Sequence, residues 1–253
     1  MKGASLAARA AVPVALLVAW QAAVGAGLLS KDWFSSPAGV VQAFRELNDQ
    51  GILWGSVAVS LGRAFLGLFL GGLAGLATGI AVGLLRGAET ALDATIQMVR
   101  TLPHLALVPL FLIWFGIGEE SKVALVALGS FFPLYLNTFK AIRGIDPKLI
   151  ELAKVQKLSR FQLIREIILP GAMPGILVGL RYSLGTAWLS LIVAEQLNAQ
   201  SGIGFLTMQA RMFAQTSVIM ACLCLYALVG ILADVLVRSL EKSALKWHPS
   251  ART

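Results

Sequence analysis

The chain has 253 residues, of which 57% are hydrophobic and only 13% charged, with a mean hydropathy of +0.79. A soluble domain carries about 25% charged residues, so a water-soluble globular enzyme is excluded and the membrane class remains. The net charge of +8 suggests nucleic acid only until its distribution is read, because the basic residues cluster between long uncharged stretches.

Those stretches cover residues 10–29, 64–85, 101–118, 123–139 and 212–233, and a sixth, 167–194, is broken only by Arg181. A crossing helix needs about 20 mostly apolar residues, so six spans are predicted. With a cytoplasmic N-terminus and alternating spans, fifteen Lys and Arg fall inside. Only Lys31, Arg45, Lys122 and Arg211 fall outside, with Arg63 and Arg181 near or within spans. This positive-inside bias predicts a multi-pass protein with both termini in the cytoplasm and no nucleic-acid partner.

Lys2 and Arg9 before an apolar run resemble a signal peptide. The run of about 20 residues is longer than a usual signal core, and removing it would spoil the even number of spans, so the first helix is expected to be retained. Residues 30–55 form the longest outside loop, with a short interfacial helix expected around 37–50. The second span carries Gly67, Gly71, Gly75, Gly79 and Gly83, one glycine every fourth residue. In lipid such a stripe lets another backbone approach closely; the alternative is a face lining a solute path. The third span contains Pro103 and Pro109, which free backbone carbonyls that neighbours must satisfy. Its kink belongs either to a moving pathway or to packing alone. Cys222 and Cys224 lie two apart in the last span and point to different faces, which says nothing of disulfides or metal.

The segment 146–170, DPKLIELAKVQKLSRFQLIREIILP, is the most informative and lies inside. Asp146 followed by Pro147 starts a helix, and 147–156 is amphipathic with Leu149, Leu152 and Ala153 on one side. Ser159 and Gln162 fit a capping box opening a second short helix. Pro170 and Pro174 punctuate its junction with the membrane. Two short helices joined by a turn make a compact docking knob that passes motion from a soluble partner to the spans.

This segment resembles the cytoplasmic signature loop of ABC-transporter permeases, E-A-A, three residues, G, nine residues, I-x-L-P. Glu151, Ala153, Ile167, Leu169 and Pro170 fall on matching positions, Leu152 replaces the second small residue and Lys157 stands where the turn glycine belongs. If that position is left-handed, lysine costs about 1 kcal/mol or more. The segments RTLPHLALVPLFLIWFGIGEESK, LGSFFPLYLNTFKAIRGID, LPGAMPGILVGLRYSLGTAWLSLIVAE and SGIGFLTMQARMFAQT resemble the branch that imports aliphatic sulfonates, with taurine and nitrate permeases as weaker matches.

The resemblance implies an all-α bundle of the type I importer permease (MetI-like) fold. It makes 1–253 a single permease domain, with a core bundle at about 56–240. It also implies a permease homodimer in the bacterial inner membrane, two ATP-binding cassette subunits docked on the loops, and a periplasmic or lipid-anchored substrate-binding protein. Glu151 would hold the loop in its seat on the ATPase. No GxxxxGK[ST] loop occurs in the chain, so ATP and its magnesium are expected on the partner and no cofactor or metal on this chain.

Candidate pathway residues each have a plainer reading. An arginine within a span costs at least about 2.5 kcal/mol, so Arg181 either lines an anionic solute's route or pairs structurally with an internal acid such as Asp93. Arg63 is explained by snorkelling. Glu195, 14 residues beyond Arg181 and so about 21 Å along a helix, marks the outer end of its span. His104 is a hydrogen-bonded structural group or a pathway ligand, and Trp188 and Ser190 face the cavity or pack. A membrane protease would need a Ser/His pair in facing spans, an HExxH helix or paired aspartates, which this sequence does not offer. An ATP-independent carrier often shows inverted repeats, and none is evident.

Overall fold

The computed structural model describes residues 4–30 and 33–245. Lys2, Lys31, Lys246 and Arg252, four of the charges in the inside–outside count, lie outside the described residues, as do both chain ends. Among the described residues every regular element is helical. In chain order these are α1 Ala4–Gly25, α2 Pro37–Asp49, α3 Ile52–Leu84, α4 Arg86–Arg100, α5 His104–Phe115, α6 Glu119–Arg143, α7 Pro147–Val155, α8 Arg160–Leu197, α9 Ile203–Met212 and α10 Thr216–Ala244.

Four of these, α3, α6, α8 and α10, are long and apolar enough to cross a membrane. The predicted third span is not one helix. α4 and α5 are bent by 82° at residues 101–103, and counted together they make a fifth, broken span. Pro103 is the cause: it has no N–H and sits in extended backbone at φ −67°, ψ 103°. Pro109, by contrast, lies at the second position of a helical stretch, Val108–Phe115, where a missing N–H leaves nothing unpaired. The apolar part of the first helix, Ala11–Gly25, is shorter than the other spans.

The described residues group into two compact units, those within 4–60 with 195–228, and 61–194 with 229–245. In the first, α2 starts at Ser36, whose hydroxyl accepts from the Gly39 N–H, with Pro37 in the first turn. Its inward side chains Val40 and Ala43 pack with Ala221, Trp20 and Phe44. Ser35 Oγ and Ser217 Oγ, 2.7 Å apart, tie the entry of α2 to α10.

In the second unit the glycine stripe of α3 lies against α6. A Cβ added at Gly67 would stand 2.5 Å from Val126 Cβ, at Gly79 2.8 Å from Thr138 Cβ and at Gly83 2.9 Å from Ile142 Cβ. At Gly71 and Gly75 it would overlap the carbonyls of Ala127 and Phe131. The two backbones touch because nothing stands between them. α6 carries Pro133, so the Gly129 carbonyl four residues earlier loses its helical donor. Thr186 Oγ1 of α8 supplies one at 2.8 Å, and Ser183 Oγ donates to Ser130 O at 2.6 Å. Neighbouring hydroxyls thus repair a proline-broken ladder where no water is at hand.

The segment 146–170 departs from two separate short helices. Asp146 accepts from the Lys148 N–H at 2.9 Å and opens α7. α7 ends with the Leu158 N–H donating to Ala153 O and the Lys157 N–H to Lys154 O, both at 3.0 Å. This is a Schellman turn, and Lys157 takes its left-handed position at φ +55°. Lysine therefore occupies a conformation that glycine adopts freely. Ser159 and Gln162 form the capping box, the Gln162 N–H donating to Ser159 Oγ at 3.3 Å and the Ser159 N–H to Gln162 Oε1 at 2.9 Å.

That box does not open a short second helix. It opens α8, which runs on into the membrane through Pro170 and Pro174. Residues Leu163–Ile168 widen to π-helical geometry just before Pro170, which relieves the clash of the proline ring with the preceding turn.

Gly71→Ala forces α3 off the α6 backbone, an overlap that no side-chain rotation relieves. It lowers stability in detergent by about 1–3 kcal/mol, read as a depressed thermal midpoint. Gly62→Ala on the same helix has open space around its Cβ and leaves the midpoint unchanged or higher. Lys157→Gly removes the left-handed penalty of about 1 kcal/mol and raises the midpoint slightly; a fall would show that the lysine side chain holds the turn.

Candidate functional site

Two regions carry the residues singled out from the sequence. On the 146–170 segment, Ala153 is buried at 2% exposure, on a helix that contacts the stretch Leu163–Ile168. Leu149 and Leu152, placed with it on one side by periodicity, instead face outward, as do Val155 and Phe161. Glu151 is exposed beside them. The result is a carboxylate set in a crest of uncovered apolar side chains, held at a fixed angle by a Schellman turn and a capping box. Ile167 lies within the π-helical stretch, and Leu169 and Pro170 follow in the helix that enters the membrane.

The pathway candidates separate into different environments. His104 opens α5 at the 82° break, and its Nε2 lies 3.0 Å from Ser190 Oγ. Ser190 is fully buried, and its Oγ also lies 2.7 Å from Thr186 O. The contact with His104 joins the start of α5 to α8, with the imidazole tautomer deciding which of the two groups donates. Trp188 packs with Val126, Ala187 and Leu191 and lines an apolar cavity of about 300 Å³ with Leu61, Phe65, Leu184 and Leu232.

Arg181 belongs to neither group. Its Nη2 donates to Glu241 at 2.8 Å and its Nε lies 3.4 Å from Asp234, which also accepts from Arg238. Both acids are on α10, so the structural pair is real but its partner is not Asp93. Asp93 accepts instead from the Tyr135 hydroxyl at 2.6 Å, and one turn earlier Glu89 pairs with Arg143.

Three further charges escape the sequence reading. Arg63 does not snorkel: its side chain is 4% exposed and grips Glu119 with two nitrogens, at 2.5 and 2.7 Å. Lys122 is likewise buried, donating to Gly118 O at 2.9 Å. Glu195, expected at the water-facing end of its span, is 1% exposed. Its carboxylate accepts from the Gly204 N–H at 2.8 Å, with Ser60 Oγ 2.8 Å from both oxygens. The only sequence signal for this was the Ser-Gly-Ile-Gly run at 201–204, whose glycines free two adjacent amides.

Comparison with known proteins gives this geometry a family. Residues 67–246 match the model of the "binding-protein-dependent transport system inner membrane component". Two relatives carry the name aliphatic sulfonates transport permease protein SsuC. That of Escherichia coli (strain K12) is 49% identical over 94% of this chain and 91% of its own length, and that of Bacillus subtilis (strain 168) is 46% identical over 94% and 87%. The taurine transport system permease protein TauC of Escherichia coli (strain K12) is 35% identical over 92% and 86%.

Among solved structures, an amino acid ABC transporter crystallised with histidines superposes with a TM-score of 0.65 at 18% identity. It covers 79% of this chain and 97% of that one. The inward-facing MetNI methionine ABC transporter gives 0.61 at 20% identity, over 76% and 97%. The fold is that of ABC importer permeases, and the chain belongs to the inner membrane components of binding-protein-dependent transport systems.

Proposed function

We infer that the chain conducts an aliphatic sulfonate across the inner membrane by alternating access, driven by separate ATP-binding cassette subunits. The observation that carries this reading is the crest formed by α7 and the first turn of α8: Leu149, Leu152, Val155 and Phe161 stay uncovered around the exposed Glu151. Uncovered apolar side chains grouped around a charge mark an interaction surface. The solute assignment rests on the higher identity to the two sulfonate permeases, 46–49%, than to the taurine permease at 35%.

In this reading two copies form the permease, two ATPases seat on the two crests and hold ATP with its magnesium, and both termini lie in the cytoplasm. A binding protein delivers the solute and sets most of its selectivity, since few polar groups line the spans. His104 and Ser190 at the break of the third span line the route. Arg181, already neutralised by two carboxylates, braces α8 against α10.

Two measurements test this. Co-reconstituted with the ATPase and binding protein encoded beside it, the chain supports alkanesulfonate uptake and sulfonate-stimulated ATP hydrolysis; preference for taurine or nitrate would reassign the solute. Glu151→Lys leaves membrane insertion intact and uncouples hydrolysis from uptake, and uptake at the unsubstituted rate would remove Glu151 from the coupling role.

A further inference from the structure

Glu195 is a buried carboxylate that the transport reading leaves unused. It sits two residues before the end of α8, the same helix whose first turn is capped by Ser159 just after the Lys157 turn. At its outer end two successive backbone amides converge on it. The Gly204 N–H donates directly, and the Ile203 N–H donates at 2.9 Å to Ser60 Oγ, which passes its own proton to the carboxylate. These are the first amides of α9, the groups an α-helix leaves unpaired and positively polarised.

The fit is close. A Cβ at Gly204 would overlap Glu195 Cβ, and Gly202 holds φ +104°. α9 in turn walls a polar groove of about 270 Å³ with α2, where Glu46, Gln50, Gln209 and Gln215 present hydrogen-bonding groups.

We propose that Glu195 is a positioning residue of the transport cycle. Its carboxylate fastens the start of α9 to the end of α8, so that movement of α8, begun at the ATPase-docking loop, shifts the α9 wall of this groove. The groove is a polar surface at the far end of the helix from that loop, and we assign it to the delivering protein. This rests on the reading of 146–170 as that loop. Glutamine at 195 keeps the shape and one acceptor oxygen but loses the charge that the α9 amides face.

The test compares basal ATP hydrolysis of the reconstituted complex with hydrolysis stimulated by solute-loaded binding protein. In Glu195→Gln the complex assembles, basal hydrolysis is preserved, and stimulation falls about tenfold, within the usual range of coupling between sites. Ser60→Ala, which severs only the relay to Ile203, gives a smaller loss. Adding it to Glu195→Gln changes nothing further, because both act through one clasp.

Stimulation at the unsubstituted level, or equal loss of basal and stimulated rates, overturns the proposal. If Glu195→Gln does not assemble, Ser60→Ala is read by the same criterion, and failure of both makes the clasp purely structural and also overturns it. Absence of stimulation in the unsubstituted complex would instead strike the functional reading itself.

Discussion

Helices in hydrocarbon gain nothing from hiding apolar surface, since the lipid is as apolar as they are, and every backbone group they expose there goes without water. Close approach of backbones is then the main source of attraction, and here it depends on the contact between α3 and α6. Five glycines at four-residue spacing share one face of α3, and that face meets Val126, Ala127, Phe131, Thr138 and Ile142 with no side chain between. α6 then offers the carbonyl freed by Pro133 to Thr186, which anchors α8 beside it. A side chain added at any of the five glycines would push the α3 and α6 backbones apart, against the Arg63–Glu119 pair that also ties them.

The same helix α8 explains why the segment 146–170 is joined so firmly to the span that follows it. A docking knob built of two independent helices would flex at both of its junctions. Continuity from Arg160 into the span removes the junction beyond the second helix, and the turn at Lys157 is closed by two Schellman hydrogen bonds and a capping box. Pro170 would normally end a helix, yet the π-helical stretch before it absorbs the ring without a break. Strain is thus held at two neighbouring points, a left-handed lysine and a widened turn, both next to the surface proposed to receive the ATPase.

Charge inside the membrane part follows a single rule: each buried charge is matched by a charge or by oriented amides. Arg63 meets Glu119, Arg181 meets Asp234 and Glu241, and Glu195 meets the open end of α9. Arg63 and Glu195 are buried and need these partners, as desolvation requires, whereas Arg181 is 38% exposed and its two pairs are partly solvated. Their cost makes them specific, because only one mutual rotation of the helices satisfies each.

Local chemistry was legible in the sequence because it is decided within a few residues. The caps at Asp146 and Ser159, the proline break at 103 and the period of the glycine stripe all follow from neighbours along the chain, whereas the left-handed turn at 157 was raised only by the loop resemblance. The transport family was legible too, through the loop motif and the segments around it. The partners of Arg63, Arg181 and Glu195 were not, since they lie 56, 60 and 135 residues away in the chain, at Glu119, Glu241 and Ser60. Periodicity assigns a residue to a face of its helix but says nothing of which helix that face meets, nor at what height. Only packing chooses those, and so only the tertiary structure could turn an apparent snorkelling arginine into a buried clamp and an apparent surface glutamate into a clasp.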